Sequence, residues 1–281
     1  VLSRATFNAM YRHIECKVGA TGRKVEASIK YDSLRDATGA KALHGLTYAP
    51  GETVVCVMDG RLYGNRWIDA RPAGMAGNIK PWLDHCTKLI PDVDEREHVF
   101  NLMAFKVQNA NIKINHGVLH GGVEGSGKDS VWAPMGWAIC GQYGTNRSLV
   151  DNEALSSQWG YHLESELLVI PELREPDAKD RRAFANKLKP ILAAPPEMLP
   201  VNRKGLHPYY ALNRTLVLAF TNEHLPISLA STDRRWFCIW SKASRMDAAE
   251  GARLWAWYKA GGFAAVAAWL QSRDVSRFNP A

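Results

Sequence analysis

The stretch HGGVEGSGKDSVW, residues 120–132, decides the fold. Gly122, four intervening residues, then Gly127 and Lys128 have the spacing of a phosphate-binding loop. The run GVLH (117–120) before it reads as a short strand, and the segment from Lys128 to Cys140 reads as a helix. Such a loop needs that context, a strand that delivers the chain and a helix whose N-terminus faces the anion. A glycine-rich surface turn shares the composition but not the flanking elements. Gly122, Gly125 and Gly127 allow backbone N–H groups to turn inward, and Lys128 reaches toward the outer phosphates of ATP. Ser126 and Ser130 complete the candidate loop.

The hydroxyl residue expected after the lysine is missing, and Asp129 stands in its place. Ser130 comes one position late, about 100° round the helix. A carboxylate repels a triphosphate unless a cation lies between them, and carboxylate oxygen suits a hard divalent ion. Asp129 is therefore a candidate Mg²⁺ ligand. Downstream, LLVIPEL (167–173) is an apolar strand that ends in acid. Phosphate-loop ATPases commonly carry two acids there, the first for Mg²⁺ and the second to orient the attacking water. Here Pro171 occupies the first position and Glu172 the second. Asp129 is expected to supply, directly or through water, the charge that position 171 lacks. Glu172 is the candidate base and the second carboxylate near the metal.

Further along, TLVLAFTNE (215–223) is another buried strand with a polar end, which offers Asn222 to the γ-phosphate or the attacking water. A strand-end Asn is also a common turn former. STDRRWF (231–237) places Arg234 and Arg235 just before the strand WFCIW, also read as buried. A planar cation stabilises charge on a transferring phosphoryl group and can come from a neighbouring subunit; the plainer reading is a surface ion pair. Between the acid strand and the Asn strand, residues 186–214 are basic. PVNRKGLHPYY reads there as a tight hairpin with Arg203 and Lys204 near its tip and His207 beside them. Cations with nearby aromatics suit single-stranded nucleic acid; a solvated loop is the alternative.

Elsewhere, TVVCVMDGRLYGNRW (53–67) reads as a hairpin turning at Asp59-Gly60. DVDEREHVFNLMAFKVQ (92–108) has a helical apolar face and an acidic first turn. The C-terminal part reads as two helices split by Gly261-Gly262. Strands alternating with helices predict an α/β phosphate-loop ATPase with a central parallel sheet, residues 91–281. A smaller α+β region, 1–90, is expected before it and helices after it.

Composition adds bounds. Among the 281 residues 46% are apolar, enough for a sizeable core, and no apolar run approaches the ~20 residues of a membrane span. No signal peptide is visible, and the scattered cysteines read as reduced thiols of a cytosolic compartment, so a cytoplasmic location is expected. A chain starting at Val1 reads as a fragment or processed product. The five scattered cysteines argue against disulfides and zinc, and are expected to be reduced and mostly buried. The net charge of +7 suits a polyanionic partner. His116 and His120 lack the further ligands of a zinc site. No Ser-His-Asp arrangement stands out.

Taken in order, GGVEGSGKDS, ELLVIPEL, LPVNRKGLHPYYALN, LVLAFTNE and DRRWFCIW resemble the motif series of superfamily 3 helicases. The resemblance is strongest to the helicase domain of phage and plasmid primase-helicases of the poxvirus type, and it covers about residues 90–281. GKD variants are familiar among such phage proteins. The resemblance implies that Lys128 and its loop bind ATP with Asp129 near Mg²⁺. It also implies Glu172 as catalytic base, Asn222 as γ-phosphate sensor and Arg234 or Arg235 as a finger in trans. Lys204 would sit on a hairpin that grips one DNA strand in the channel of a hexameric ring. Movement would be 3′ to 5′, in the host cytoplasm for a phage protein, with a primase module upstream. Pro171 departs from the pattern, standing where the first acid of the pair is expected. A small-molecule kinase and a binding module without turnover share the phosphate loop, but leave the basic hairpin or the acid idle.

Overall fold

The computed structural model describes residues 3–38, 43–173, 181–223 and 233–281. The chain opens with helix α1 (Arg4–Tyr11), a hairpin of β1 (Cys16–Val18) and β2 (Arg23–Val25), and helix α2 (Ala27–Thr38), which pack on one another. Strands β3 (Gly45–Tyr48), β4 (Val55–Met58) and β5 (Arg61–Asn65) follow, then helices α3 (Lys80–Leu89) and α4 (Val93–Gln108). The rest alternates: β6 (Gly117–Gly122), α5 (Lys128–Cys140), β7 (Arg147–Leu149), α6 (Asn152–Ser156), β8 (Leu167–Ile170) and α7 (Arg181–Leu192). A hairpin of β9 (Met198–Val201) and β10 (Tyr209–Leu212) precedes β11 (Leu216–Thr221), β12 (Trp236–Ser241), α8 (Ala248–Trp257) and α9 (Phe263–Ser272).

Five strands form the central sheet, in the order β12-β6-β11-β8-β7, and all its pairings are parallel. The three inner strands are buried along their whole length. The apolar runs of β8 and β11 follow from burial on both faces, while β6 encloses the buried His120. Alternate residues serve two cores. Val118, Leu167 and Leu218 face α3, α4, α5 and α9, where Trp82, Leu102, Met135 and Leu270 are buried. Leu119, Leu168 and Val217 face α7, with Leu188 and Ile191. WFCIW differs from the expected buried strand. It is the sheet edge, and Cys238 points to solvent. Cys56, Cys86 and Cys140 are buried, and all five cysteines are free.

Local rules set several boundaries. Helix α4 starts at Asp92, whose carboxylate accepts the Glu95 N–H at 3.0 Å, with Asp94 and Glu95 in its first turn. The turn between β4 and β5 has positive φ at both Asp59 (49°) and Gly60 (72°), which matches the twist of a two-residue hairpin. Between α8 and α9 the chain kinks at Gly261, φ 114°.

A second sheet runs β4-β5-β3-β10-β9, so residues 45–65 share it with the 198–212 hairpin. Packing therefore crosses residue 90, the expected limit of the N-terminal region. α3 also lies against α5, and the Trp82 indole donates to Val131 O at 2.9 Å. A buried carboxylate adds a third tie. Glu166, just before β8, accepts from the Trp67 indole at 2.7 Å and from Arg71 at 2.6 Å. Lys106 of α4 lies 3.9 Å from it.

Candidate functional site

The site begins where β6 runs out. At Gly122 the backbone takes φ 153°, and a Cβ there would lie 3.0 Å from Ser241. Gly125 and Gly127 have φ of 71° and 88°. At Gly127 the left-handed backbone strains any side chain, and a Cβ would also meet the Met246 methyl at 2.0 Å and the His85 ring at 3.0 Å. Helix α5 starts with Lys128, and its N-terminal N–H groups and dipole point at the loop.

Lys128 is buried, and its amine is held by neutral oxygens. It donates to Asn222 Oδ1 at 2.7 Å, Gly122 O at 3.2 Å and Val123 O at 3.3 Å. Burial lowers its pKa, while Asp129, Glu124 and Glu172 act in the opposite sense. Strand order explains why these groups meet. β11, which ends just before Asn222, lies between β6 and β8. Thr221 is paired with Gly121, and Ala219 with Ile170. The three strands end together and deliver the phosphate loop, Asn222 and Glu172 to one edge. Pro171 has no N–H to extend the ladder; Leu173 resumes it by donating to Phe220 O at 2.6 Å.

A cavity of about 650 Å³ opens there, with Lys128, Asp129, Glu172 and Asn222 in its wall and Glu124 and Arg147 beside them. Its floor is apolar, including Trp132, Leu218 and Phe220. Glu124, Asp129 and Glu172 are the carboxylates of its lining, and a cation could share two of them with phosphate oxygens. Among the described residues no group of three or more His, Cys, Asp or Glu could hold a metal ion. Two carboxylates with the remaining positions left to phosphate and water is the usual protein share for Mg²⁺.

The other loop residues divide. Gly125 and Gly127 line the cavity. Ser126 is fully buried, with a hydroxyl that has no partner among the described residues. Ser130 turns away; its hydroxyl donates to Gly127 O at 2.6 Å and lies 2.8 Å from His85 Nε2. Burial keeps His85 below the usual histidine pKa.

Arg234 and Arg235 do not join the cavity of their own chain. They precede β12, where Trp236 pairs with Gly117, whereas the phosphate loop leaves the other end, where Ser241 pairs with Gly122. Arg235 bonds Asp233 at 3.2 Å; Arg234 is exposed. The β9–β10 hairpin is present, but residues 202–208 make its connection longer than a tight turn. Arg203 does not project as a tip cation. Its guanidinium pairs with Glu164 and stacks over Tyr161, 4.8 Å from the ring centre. Lys204 and His207 are exposed. His116 faces His98 (Nε2 to Nε2 3.2 Å), and His120 Nδ1 accepts from the Trp132 indole at 2.9 Å, so the two do not form a ligand pair.

Sequence reading missed three neighbours of the loop. Arg147 reaches the cavity from β7. His85 supports Gly127 from α3. The segment after β12 clasps the loop: Met246 N–H donates to Gly125 O at 2.9 Å, and the Arg245 side chain lies against Gly125. No local motif marks these residues; only their distant elements bring them in.

Comparison with known proteins bears on the fold. A model described as "Family of unknown function (DUF5906)" matches residues 119–235, from β6 to the start of β12. No curated protein matches. The apo structure of the NrS-1 C terminal region (305–718) has a TM-score of 0.68 at 18% identity, covering 90% of this chain and 62% of that one. The A form apo structure of the same region has a TM-score of 0.66 at 17% identity, with the same coverage. The X-ray structure of JCV Helicase has a TM-score of 0.42 at 13% identity, over 72% of this chain and 57% of that one. The chain thus shares the fold of the NrS-1 region and spans less than two thirds of its length.

Proposed function

We propose that the chain is the motor domain of an ATP-dependent DNA helicase that moves on single-stranded DNA. One observation carries the reading: the ends of β6, β11 and β8 open into one cavity, where Lys128 and Asn222 are already in contact at 2.7 Å. A triphosphate on the loop N–H groups would bring its γ-phosphate toward Lys128 and Asn222. Glu172 would orient the attacking water and take its proton. Bound Mg²⁺ would neutralise charge on the phosphate oxygens, with Asp129 and Glu172 as its carboxylate ligands. Asp129 then takes the part that Pro171 cannot.

Transfer of the γ-phosphoryl group develops charge that a cation from a neighbouring copy can stabilise. Arg234, exposed at the sheet end away from its own cavity, suits that role better than Arg235, which is bonded to Asp233. Head-to-tail contacts that close generate rings, and we propose a hexamer. Lys204 and His207 would then meet the DNA backbone, with Arg203 positioning their loop through Glu164. A primase module upstream and a cytoplasmic site of action belong to the same proposal.

The test is Mg²⁺-dependent ATP hydrolysis with and without oligo(dT). The wild type is expected to be stimulated by DNA, Lys128→Ala to lose hydrolysis, and Lys204→Ala to lose only the stimulation. Glu172→Gln should bind ATP yet turn over on the order of 10²–10⁴-fold more slowly. Asp129→Ala should raise the Mg²⁺ concentration required. Turnover that ignores DNA would instead indicate a kinase-like enzyme, and binding without turnover a non-catalytic module.

A further inference from the structure

We infer that a second cavity, where the β9–β10 hairpin meets β3–β5, seats an unpaired base of the nucleic-acid strand; this rests on the DNA-binding reading above. The cavity holds about 640 Å³, within the range of small-ligand sites. Strand register builds it. Tyr63 on β5 stands opposite Gly45, and Tyr210 on β10 stands opposite Thr47, two positions along β3. Side chains alternate with period two, so Tyr63, Gly45 and Tyr210 share one face of the sheet. The strands of the two tyrosines lie two spacings apart, roughly 10 Å. Between them Gly45 offers no side chain, and a Cβ there would already touch the Tyr63 ring at 3.6 Å. The result is a side-chain-free position on β3 between the two tyrosines, with the Tyr63 ring leaning over it and the Tyr210 ring exposed.

The surrounding chemistry selects the occupant. Tyr210 is 57% exposed, although its strand neighbours Tyr209 and Ala211 are buried. His44 sets its ring against Tyr63 with centroids 5.3 Å apart and accepts a hydrogen bond from Arg61 at 3.1 Å. Met58 and Met198 add apolar surface. His207 closes one side, and its loop also carries Lys204. Flat π faces, with Arg61 bonded to His44 and Lys204 on the adjoining loop, suit a base whose phosphates lie outside. Asp59 at the wall disfavours a free, multiply charged nucleotide inside. The hairpin would therefore grip the strand twice, by charge at Lys204 and by stacking in this cavity.

The experiment compares binding of fluorescent oligo(dT) with that of an abasic oligomer of equal length and charge. The wild type should prefer oligo(dT). Tyr63→Ala and Tyr210→Ala should each lose about 5- to 150-fold on oligo(dT), the equivalent of the ~1–3 kcal/mol of one base–aromatic stack. They should bind the abasic oligomer as the wild type does. Tyr63→Phe and Tyr210→Phe keep the ring and should bind oligo(dT) within about twofold of the wild type. Circular dichroism melting of each variant separates misfolding from lost stacking. If both alanine variants bind oligo(dT) normally while Lys204→Ala does not, the base seat is overturned and the helicase reading stands. If dTMP alone competes as well as oligo(dT), the site takes a free nucleotide and the assignment is wrong. If the wild type binds neither oligomer, the DNA-binding reading fails and the seat with it.

Discussion

At the scale of single residues, the contact between Lys128 and Asn222 decides what the cavity can do. The lysine is buried and satisfied by three neutral oxygens, so its positive charge is not cancelled by a bonded acid. A phosphate can therefore compete for it. Asn222→Asp would place a carboxylate where the amide oxygen now sits, 2.7 Å from the amine. The ammonium now bonds a neutral amide oxygen, and a carboxylate there would turn that bond into a partly buried ion pair. It would hold the lysine and repel the triphosphate. ATP affinity is expected to fall by on the order of 2–3 kcal/mol, or 30- to 150-fold. Asn222→Ala leaves the two carbonyl partners and should retain ATP binding while slowing hydrolysis. Calorimetric titration of ATP with single-turnover rates separates the two. Equal affinity in Asn222→Asp and the wild type would mean that Lys128 meets phosphate by another route.

Among the elements, what was legible in the sequence depended on how local the cause was. Helix α5 begins at Lys128 and α4 at Val93, as glycine spacing and acidic caps predict. β8 and β11 were legible because strands buried on both faces are apolar along their run, and β6 because a short strand must lead into a phosphate loop. Their polar ends named Lys128, Glu172 and Asn222. The edge position of β12 was not legible, because an edge is defined by the absence of a second neighbour. Nor was the second sheet, whose parallel pairing of Thr47 with Tyr210 joins distant parts of the chain. The fate of Arg203 had the same origin, since its partner Glu164 lies outside the hairpin. Glu164 is buried and accepts from Arg66 at 2.6 Å and from the Tyr209 hydroxyl at 2.5 Å, besides pairing with Arg203. Glu164→Ala would strand these donors. The loss should be on the order of 2–3 kcal/mol, below the ~3–5 of a fully enclosed pair, because both arginines retain contact with water. Urea unfolding measures it. A midpoint within error of the wild type would show that the carboxylate does not anchor the hairpin.

For the whole molecule, the packing of helices on the central sheet buries histidines in neutral form. Burial, with Lys128 and His85 adding to it, holds His120 at a pKa of about 3. Burial, with His98 and Lys113 adding to it, holds His116 at about 4. His85 and His98 are lowered by burial as well. In the unfolded chain each would titrate near the ordinary value of ~6.5. Between pH 6.5 and 4 the unfolded state therefore binds more protons than the folded one, so stability rises with pH in that window. The contribution is complete above pH 6.5 and is lost on acidification. Each histidine that must stay neutral contributes a slope of about 1.4 kcal/mol per pH unit at most, less for His116, which keeps some solvent. Urea midpoints are expected to be flat from pH 8 to 7 and to fall steadily from pH 6 to 5. His116→Asn should reduce that slope without changing the midpoint's response above pH 7. Equal wild-type midpoints at pH 7.5 and 5 would show that protons reach these rings in the folded state, and that the cores on the sheet are looser than their burial implies.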